Sequence, residues 1–178
     1  MPLLLRPATD ADLPAIVTLM NAAYRGGETV QPGWSTEAGY ITGVRTTVSL
    51  LREEIAEGAQ YLLTNEQGTL KGCVSLQPVS PDRWYLGALT VSPTLQNAGF
   101  GRELLAASED YALQRGARTI EMTVVNVRDA LIAWYQRRGY RLTGETRPFP
   151  YGDNRYGTPT RDDLHFVVLE RHLRPERP

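Results

Sequence analysis

The residues at 96–101 combine types and spacing that could bind phosphate groups: Gln96, Asn97, Ala98, Gly99, Phe100 and Gly101. They follow an apolar run and open a segment whose apolar residues recur at helical spacing, which predicts a strand-to-helix turn. In such a turn, successive backbone N–H groups and the positive end of the helix macrodipole converge on one point, which suits a pyrophosphate. Glycines at 99 and 101 would let phosphate oxygens approach the backbone closely.

Taken alone, this turn indicates an anion site at the start of a helix and no more. Two glycines at fixed spacing arise easily by chance, and glycines that only serve packing in a tight turn explain the string equally well. The sequence contains neither Gly-x-x-x-x-Gly-Lys-Ser/Thr nor Gly-x-Gly-x-x-Gly, the two better-known phosphate loops. Other parts of the chain must therefore identify the ligand.

Few other side chains could act as nucleophiles or metal ligands. Cys73 is the single cysteine, and its neighbours Gly72 and Val74 predict a buried strand position rather than a reactive thiol. The two histidines, His165 and His172, have no cysteine or histidine partner at zinc-ligand spacing. We therefore expect no metal, no internal disulfide and no covalent route through a cysteine.

Composition and charge narrow the class of protein. The 178 residues are 42% hydrophobic, enough to bury one substantial core. We expect a single domain over residues 1–173 and a loose tail at 174–178. The formal net charge of −1 gives no reason to expect nucleic acid or a membrane surface as a partner. The apolar run at 3–5 is too short for a signal peptide or a membrane span, so we expect a cytoplasmic protein.

Periodicity predicts the elements that would position the turn, as a mixed α/β sheet with helices on both faces. A capping box of Thr9 and Asp12 begins the first helix, and Thr46 or Thr47 caps the second. Four helices end before the glycines at 26, 58, 116 and 139. Strands are predicted at 3–6, 60–64, 70–79, 84–91, 119–125, 140–145 and 164–170.

Two features of this pattern bear on function. The run 84–91 is apolar throughout, which is typical of a strand covered on both faces and puts it at the centre of the sheet. The segments 26–43 and 147–162 are rich in glycine, proline and polar residues, so we predict long loops. Long loops in compact domains often carry function.

Two motifs in the right order resemble the GNAT superfamily of acyl-CoA N-acyltransferases. The first set of residues is similar to its motif A. It comprises Val91, Ser92 and Pro93, then the turn at 96–101, and then Arg102, Glu103, Leu104 and Leu105. The second set is similar to motif B of the superfamily and comprises Asn126, Ala130, Trp134, Tyr135, Gly139 and Tyr140. The predicted element order also matches over nearly the whole chain. The resemblance implies the GNAT fold, with a mixed sheet of about seven strands, and acetyl transfer from acetyl-CoA to an amine.

The resemblance also implies where acetyl-CoA would bind. Family members splay the central strand from the next one at a bulge, and the pantetheine arm pairs with backbone groups at the positions of Leu89 and Val91. The amides from Gln96 to Arg102 match those that hold the pyrophosphate, and the Arg102 side chain could add a charge-assisted hydrogen bond. Asn126 matches a residue that contacts the cofactor near its thiol, although a helix cap ahead of Asp129 explains it nearly as well.

Tyr135 is counted among the cofactor-binding residues as well, and for catalysis it matches the tyrosine that the family uses as general acid. A phenol with a pKa of about 10 can give a proton to a CoA thiolate at neutral pH. Packing beside Trp134 is the alternative explanation. The acceptor amine must also lose a proton, and Tyr85 stands where the histone-acetylating branch has a glutamate on the central strand. Tyr85, as base or relay, and Glu37 are the two candidates for that step.

The acceptor is the least determined part. Arg45, Arg147 and Arg155 could pair with a substrate carboxylate, although a solvated surface charge explains each of them at least as well. The leading interpretation is acetylation of a primary amine of a small molecule by direct attack. A protein N-terminus or lysine as acceptor, and a non-catalytic acyl-CoA-binding domain, are the alternatives. A strand-rich C-terminal half is compatible with a homodimer.

Overall fold

A computed structural model describes residues 3–26, 37, 39–95 and 99–175. Within these residues the chain forms four α-helices: α1 (Leu13–Arg25), α2 (Val48–Ala56), α3 (Phe100–Gln114) and α4 (Asp129–Gln136). Its strands are β1 (Arg6–Pro7), β2 (Ile41–Thr42), β3 (Gln60–Glu66), β4 (Thr69–Pro78), β5 (Arg83–Val91), β6 (Thr119–Val125), β7 (Arg141–Pro148), β8 (Thr158–Pro159) and β9 (His165–His172).

Seven of these strands form one mixed sheet in the order β1-β3-β4-β5-β6-β9-β7. Only β5 and β6 run parallel among the described neighbours, and the other pairs are antiparallel. The apolar run predicted to be central is β5, which lies fourth of the seven. The predicted mixed sheet of about seven strands is therefore confirmed.

Helices cover both faces of the sheet, as the periodicity predicted. Consecutive residues of β3 point to opposite sides. Leu62 belongs to the core cluster that contains Leu104 of α3 and Leu131 of α4. Leu63 belongs to the second cluster, together with residues of α1 and α2 such as Ile16. Two hydrophobic layers thus fix the sheet between two pairs of helices.

The helix starts follow the expected capping chemistry. Thr9 and Asp12 form the capping box, with a short 3-10 turn at Asp10–Asp12 between it and α1. The Thr47 hydroxyl accepts a hydrogen bond from the Leu50 N–H at 3.2 Å, so Thr47 is the cap of α2. Gly99 precedes α3 with a φ of +80°, a conformation that glycine adopts without steric cost.

The central strands separate in the middle of the sheet. β5 pairs with β6 only through Arg83, Trp84 and Tyr85, opposite residues 119–121. On its other side β5 shifts register against β4 between Cys73 and Ser75, and Ala88 has a φ of +50°. This bulge bends β5 away from β6, so the two strands enclose a gap beyond Tyr85. None of the described helices is long and apolar enough to cross a membrane.

Candidate active site

A cavity of about 460 Å³ occupies the gap between the splayed strands. Residues 85–89 of β5 and 122–125 of β6 form two of its walls, and Leu131 and Tyr135 of α4 form a third. The opposite wall comes from the end of α1, from α2 and from the segment 149–157. The cavity therefore joins the backbone edge of the central strand to described residues of the two predicted loops, among them Glu37, Ile41 and Tyr156.

Tyr135 lies in the cavity wall, with 5% of its surface exposed. Its ring packs edge-on against Trp134 at 5.0 Å and against Tyr140 at 5.7 Å between centroids. Burial raises the pKa of Tyr135 above its usual range. The hydroxyl is therefore protonated at neutral pH, the state that a proton donor needs.

Tyr85 stands on β5 at the point where the strands part, and it also lines the cavity. Its hydroxyl is 2.7 Å from the Thr123 hydroxyl on β6, and either oxygen can donate in this hydrogen bond. The pair spans the beginning of the gap. A hydroxyl with such a neighbour can pass a proton on, so the geometry suits the relay role predicted for Tyr85.

The residues predicted to bind the cofactor fall into three groups. Leu89 lines the cavity, and its carbonyl accepts a hydrogen bond from the Tyr24 hydroxyl at 3.3 Å. Val91 is buried at the end of β5, and Gly99, Phe100, Gly101 and Arg102 form the start of α3, outside the cavity lining. Gln96, Asn97 and Ala98 lie outside the described residues.

Asn126 follows β6, and its side chain ties two segments together. Its Nδ2 donates to the Asp163 carbonyl at 3.1 Å, and its Oδ1 accepts from the His165 N–H at 3.0 Å. The N-cap of α4 is Arg128, so the alternative interpretation of Asn126 as a helix cap is wrong. Both ends of the amide fix the start of β9 beside the cavity, and contact with the cofactor stays a prediction.

Glu37 is buried in the cavity wall between two arginines. Its carboxylate is 3.7 Å from the guanidinium of Arg25 and 3.7 Å from that of Arg45. The Arg45 guanidinium also lies 5.1 Å from the ring centroid of Tyr24 and 5.6 Å from that of Tyr156. The structure thus brings Glu37 and Arg45 together with an arginine that the sequence did not single out.

The three arginines considered for the acceptor differ in position. Arg45 lines the cavity, whereas Arg147 pairs with Glu145 at 3.0 Å and with Glu121 at 3.6 Å. Arg155 is 59% exposed and pairs with Asp153 at 2.9 Å. Neither Arg147 nor Arg155 lines the cavity. For these two, the surface-charge explanation holds.

Other lining residues carried no sequence signal. Glu54 of α2 accepts hydrogen bonds from the hydroxyls of Tyr61 and Tyr156, the latter at 3.1 Å. Arg128 lies between Asn126 and α4, and its charge lowers the pKa of the nearby Tyr135 against the stronger effect of burial. A polar position on an amphipathic helix or in a turn is indistinguishable from an ordinary surface residue. Only the fold turns these side chains toward the cavity.

The groups that would support other chemistries are absent or inert in the described part of the chain. Cys73 is fully buried on β4, and burial raises the pKa of its thiol to about 12. The protonated thiol is a poor nucleophile, in agreement with the predicted structural role. Residues 3–26, 37, 39–95 and 99–175 contain no cluster of three or more histidine, cysteine or acidic side chains that could hold a metal ion.

Comparison with known sequences identifies the family to which the chain is similar. The model of the acetyltransferase (GNAT) family matches residues 15–140. Over 105 residues the chain is 30% identical to the amino-acid acetyltransferase of Pseudomonas putida (strain GB-1), with 58% of this chain and 23% of that protein covered. Over 85 residues it is 32% identical to "Probable N-acetyltransferase 14" of Xenopus tropicalis, with 47% and 41% covered. The chain therefore spans less than half the length of either curated relative.

Solved structures match over the whole length. Ribosomal-protein-alanine N-acetyltransferase from Brucella melitensis superposes with a TM-score of 0.66 at 23% identity, covering 96% of this chain and 100% of that one. A GNAT family acetyltransferase from Elizabethkingia anophelis, with acetyl-CoA bound, gives a TM-score of 0.65 at 17% identity, covering 97% and 99%. At these identities the likeness shows the fold.

Proposed function

The chain belongs to the GNAT family of acetyltransferases, and from that premise we propose that it transfers the acetyl group of acetyl-CoA to a primary amine of a small molecule. The observation that carries the proposal is the gap beyond Tyr85, which opens β5 beside a buried, protonated Tyr135. A cytoplasmic location, a homodimer and a single domain over 1–173 stay predictions.

The residues present fit acetyl-CoA at two places. Between β5 and β6 the pairing of the described strands stops at Tyr85, so backbone groups of residues 86–91 face the gap and can bind the amides of a pantetheine arm. Within the described residues α3 begins at Phe100, so the N–H groups of Phe100, Gly101 and Arg102 lie in its first turn, where helix N–H groups point out of the helix end and can bind a ligand. These amides, with the Arg102 side chain, can hold a pyrophosphate. Bound acetyl-CoA would supply the activated thioester.

Two protons must move when the new C–N bond forms and the C–S bond breaks. We assign the donor role at the sulfur to Tyr135, because it lines the cavity and a phenol is protonated at neutral pH. The amine must also lose a proton, and an amine with a pKa of about 10.4 is almost wholly protonated at pH 7. Tyr85 and Glu37 both line the cavity and are the candidate acceptors. The hydrogen bond of Tyr85 to Thr123 favours Tyr85 as the relay.

A small acceptor fits the cavity better than a polypeptide. The β2–β8 ladder joins the segment after α1 to the segment before β9, with Ile41 opposite Pro159. Tyr156 is fixed beside it, since its carbonyl accepts from Arg25 at 2.8 Å and its hydroxyl donates to Glu54. These contacts draw the segment 149–157 across one side of the cavity. A protein N-terminus or lysine is the second candidate, since a structural neighbour is a ribosomal-protein-alanine N-acetyltransferase.

A screen of primary amines for release of CoA thiol from acetyl-CoA tests the proposal. We expect turnover with at least one small amine, and a loss of kcat of about a hundredfold or more in Tyr135→Phe. Most of the acetyl-CoA-induced rise in melting temperature should persist in that variant, because the proposed contacts of the cofactor with β5 and with the start of α3 do not involve the phenol. Tyr111→Phe is the matched control, because Tyr111 lies on α3 outside the cavity lining and stacks on Arg115.

Three results would contradict parts of this proposal. Turnover with peptides but with no small amine would make a protein the acceptor. Stabilisation by acetyl-CoA without turnover would favour the binding-domain alternative. A kcat that is unchanged in Tyr135→Phe would remove Tyr135 from the proton transfer.

A further inference from the structure

The cavity wall holds an arginine whose hydrogen-bond donors are largely uncommitted. Arg45 has 22% of its side chain exposed, and its guanidinium makes no hydrogen bond within 3.5 Å to any described residue. Its nearest carboxylate, on Glu37, is 3.7 Å away and is shared with Arg25. A guanidinium offers five N–H donors in a planar fork, so most of its capacity is unused.

Two of the carboxylates that line the cavity with Arg45, those of Glu54 and Asp153, are engaged by other groups. Glu54 accepts hydrogen bonds from two tyrosine hydroxyls, those of Tyr61 and Tyr156. Asp153 accepts from the Arg155 guanidinium at 2.9 Å. Glu54 and Asp153 therefore have donors of their own, whereas among the described residues the Arg45 guanidinium has only the Glu37 carboxylate, at 3.7 Å, as an ionic partner. A ligand that brings an acceptor complements this wall better than one that brings a donor.

Arg45 is held in place without the help of a ligand. The Asn21 side chain of α1 accepts from the Arg45 N–H at 2.6 Å and from the Thr46 N–H at 3.1 Å. It also donates to the Thr46 carbonyl at 3.1 Å. The guanidinium lies near two tyrosine rings, at 5.1 Å and 5.6 Å from their centroids. Aromatic faces favour a cation and limit its motion, which lowers the entropy lost when an anion binds.

The distance from Arg45 to the central strand suits a small molecule. Tyr24 spans it, with its hydroxyl on the Leu89 carbonyl at 3.3 Å and its ring beside Arg45. Arg45 thus lies about one tyrosine length from the bulge of β5. An acceptor anchored at Arg45 would reach the thioester with an amine only a few bonds from its anionic end.

We infer that the amine acceptor carries a carboxylate, which binds to Arg45 beside the rings of Tyr24 and Tyr156, so that the substrate class is that of amino acids and similar aminocarboxylates. This inference rests on the proposed function. The carboxylate would accept two N–H bonds from the guanidinium, and its charge would join that of Glu37 in balancing Arg25 and Arg45. The amine would then face Tyr85 across the cavity.

The test compares acceptors in matched sets: amino acids, their carboxamides, and the amines that correspond to loss of the carboxylate. With the unaltered protein and saturating acetyl-CoA, we expect kcat/KM for the amino acid to exceed that for its carboxamide by roughly ten- to hundredfold. In Arg45→Gln this preference should vanish, so that the ratio of kcat/KM for the amino acid to kcat/KM for its carboxamide falls to about one. Arg45→Lys should keep part of the preference, because it restores the charge without the fork.

Arg52→Gln is the control for removing an arginine as such. Arg52 lies on α2, is 59% exposed and pairs with Asp10 at 2.8 Å, so its loss should leave the acceptor preference unchanged. Thermal shifts provide a readout that does not depend on turnover. In the presence of CoA, an N-acetylated amino acid should stabilise the unaltered protein more than Arg45→Gln, whereas its amide should not distinguish the two.

The possible outcomes separate this inference from the function it rests on. Turnover with equal kcat/KM for amino acids and carboxamides would overturn the carboxylate site and leave the acetyltransferase intact. A preference for diamines would also overturn the carboxylate site, and it would indicate that Glu54 and Glu57 bind a second ammonium group of the acceptor. A preference for the amino acid that survives in Arg45→Gln would mean that another residue binds the substrate carboxylate. Absence of turnover with every amine, together with absence of acetyl-CoA binding, would remove the proposed function itself.

Discussion

At the scale of single residues, burial decides what a charged side chain does. Glu37 could be a base as far as the sequence shows, yet in the structure its side chain is 9% exposed and its carboxylate lies 3.7 Å from two guanidinium groups. A carboxylate in this position neutralises the charges of two guanidinium groups that are poorly solvated. Glu37 therefore contributes to the stability of the folded state, and a role in proton transfer would be additional.

We expect Glu37→Gln to lower the free energy of unfolding by about 3 kcal/mol, because Arg25 and Arg45 lose the carboxylate between them. Urea denaturation followed by circular dichroism measures this loss. Glu53→Gln is the control, since Glu53 is 57% exposed and its 3.6 Å pair with Arg155 contributes less than about 1 kcal/mol. Equal effects in the two variants would show that the buried pairs contribute little.

The same variant separates the two candidates for the base. If Tyr85 relays the amine proton, Glu37→Gln should keep the shape of the kcat/KM profile against pH, even if its height changes. Loss of the acid limb in Glu37→Gln, with the limb retained in Tyr85→Phe, would make Glu37 the base and leave Tyr85 a structural partner of Thr123.

The sequence singles out site candidates where a motif fixes their spacing. The family pattern picks out Tyr135, which lines the cavity, and Asn126, which follows the lining residue Val125, and their roles stay predictions. Arg45, Arg147 and Arg155 are alike in type and in their polar surroundings, so the sequence could not rank them. What distinguishes Arg45 is its place in the cavity lining and its contact with Tyr24 of α1, because Arg155 also lies over the Tyr156 ring, at 5.7 Å from the centroid.

At the scale of elements, the acceptor side depends on a very short ladder. Gly157, next to β8, has a φ of +110° and lies so close to β2 that an added Cβ would meet the Thr42 carbonyl at 2.6 Å and also the Arg25 guanidinium. A glycine is required there both for the backbone conformation and for the close approach. The position of the segment 149–157 over the cavity therefore depends on this residue.

We expect Gly157→Ala to raise the KM for the acceptor about tenfold or more, because the segment must move away from Arg25 and Thr42. Binding of acetyl-CoA should be unaffected, since the gap at β5 and the start of α3 are separate from this ladder. Steady-state kinetics at saturating acetyl-CoA and calorimetry of acetyl-CoA binding measure the two effects.

Gly152→Ala controls for backbone strain in the same segment. Gly152 also has a positive φ, +88°, but an added Cβ there would have nothing within 4 Å. Its substitution should cost about 1 kcal/mol of stability and leave the acceptor KM nearly unchanged. If both variants raise KM equally, strain in the segment, and not its approach to β2, controls acceptor binding.

The elements found from the sequence are those long enough to show a period. The strands β3, β4, β5, β6 and β9 and the four helices were predicted within a few residues, because each repeats its apolar positions several times. β2 and β8 have two residues each, which is too short for any pattern, and they fell within predicted loops. Their pairing is a tertiary event that brings together residues more than a hundred positions apart.

At the scale of the whole molecule, the sheet consists of two parts joined at a narrow place. β1, β3, β4 and β5 lie on one side, β6, β9 and β7 on the other, and three residues of β5 pair with three of β6. The core clusters on both faces complete the connection. The motifs and element order predicted this family fold, but the width of the gap depends on the bulge at Ala88, which no residue type signals.

This arrangement predicts how acetyl-CoA would change the dynamics of the chain. Amides of residues 86–91 that face the gap, and those of 100–102 at the start of α3, are the groups proposed to bind the pantetheine arm and the pyrophosphate. At acetyl-CoA concentrations about a hundredfold above Kd, their hydrogen exchange at short labelling times should slow by up to about a hundredfold. The two segments should slow together, because one ligand spans both.

The turn at 79–82, between β4 and β5, provides the internal control, because it lies at the opposite end of β5 from Val91 and the start of α3 and should exchange equally fast with and without acetyl-CoA. Hydrogen exchange read out by mass spectrometry resolves these segments, with ATP as a control nucleotide that lacks the pantetheine arm. Slowing at 100–102 alone would indicate an anion site at the helix start without a pantetheine channel. If hydrogen exchange slows at neither segment while acetyl-CoA still raises the melting temperature, then acetyl-CoA binds somewhere other than the gap between the splayed strands.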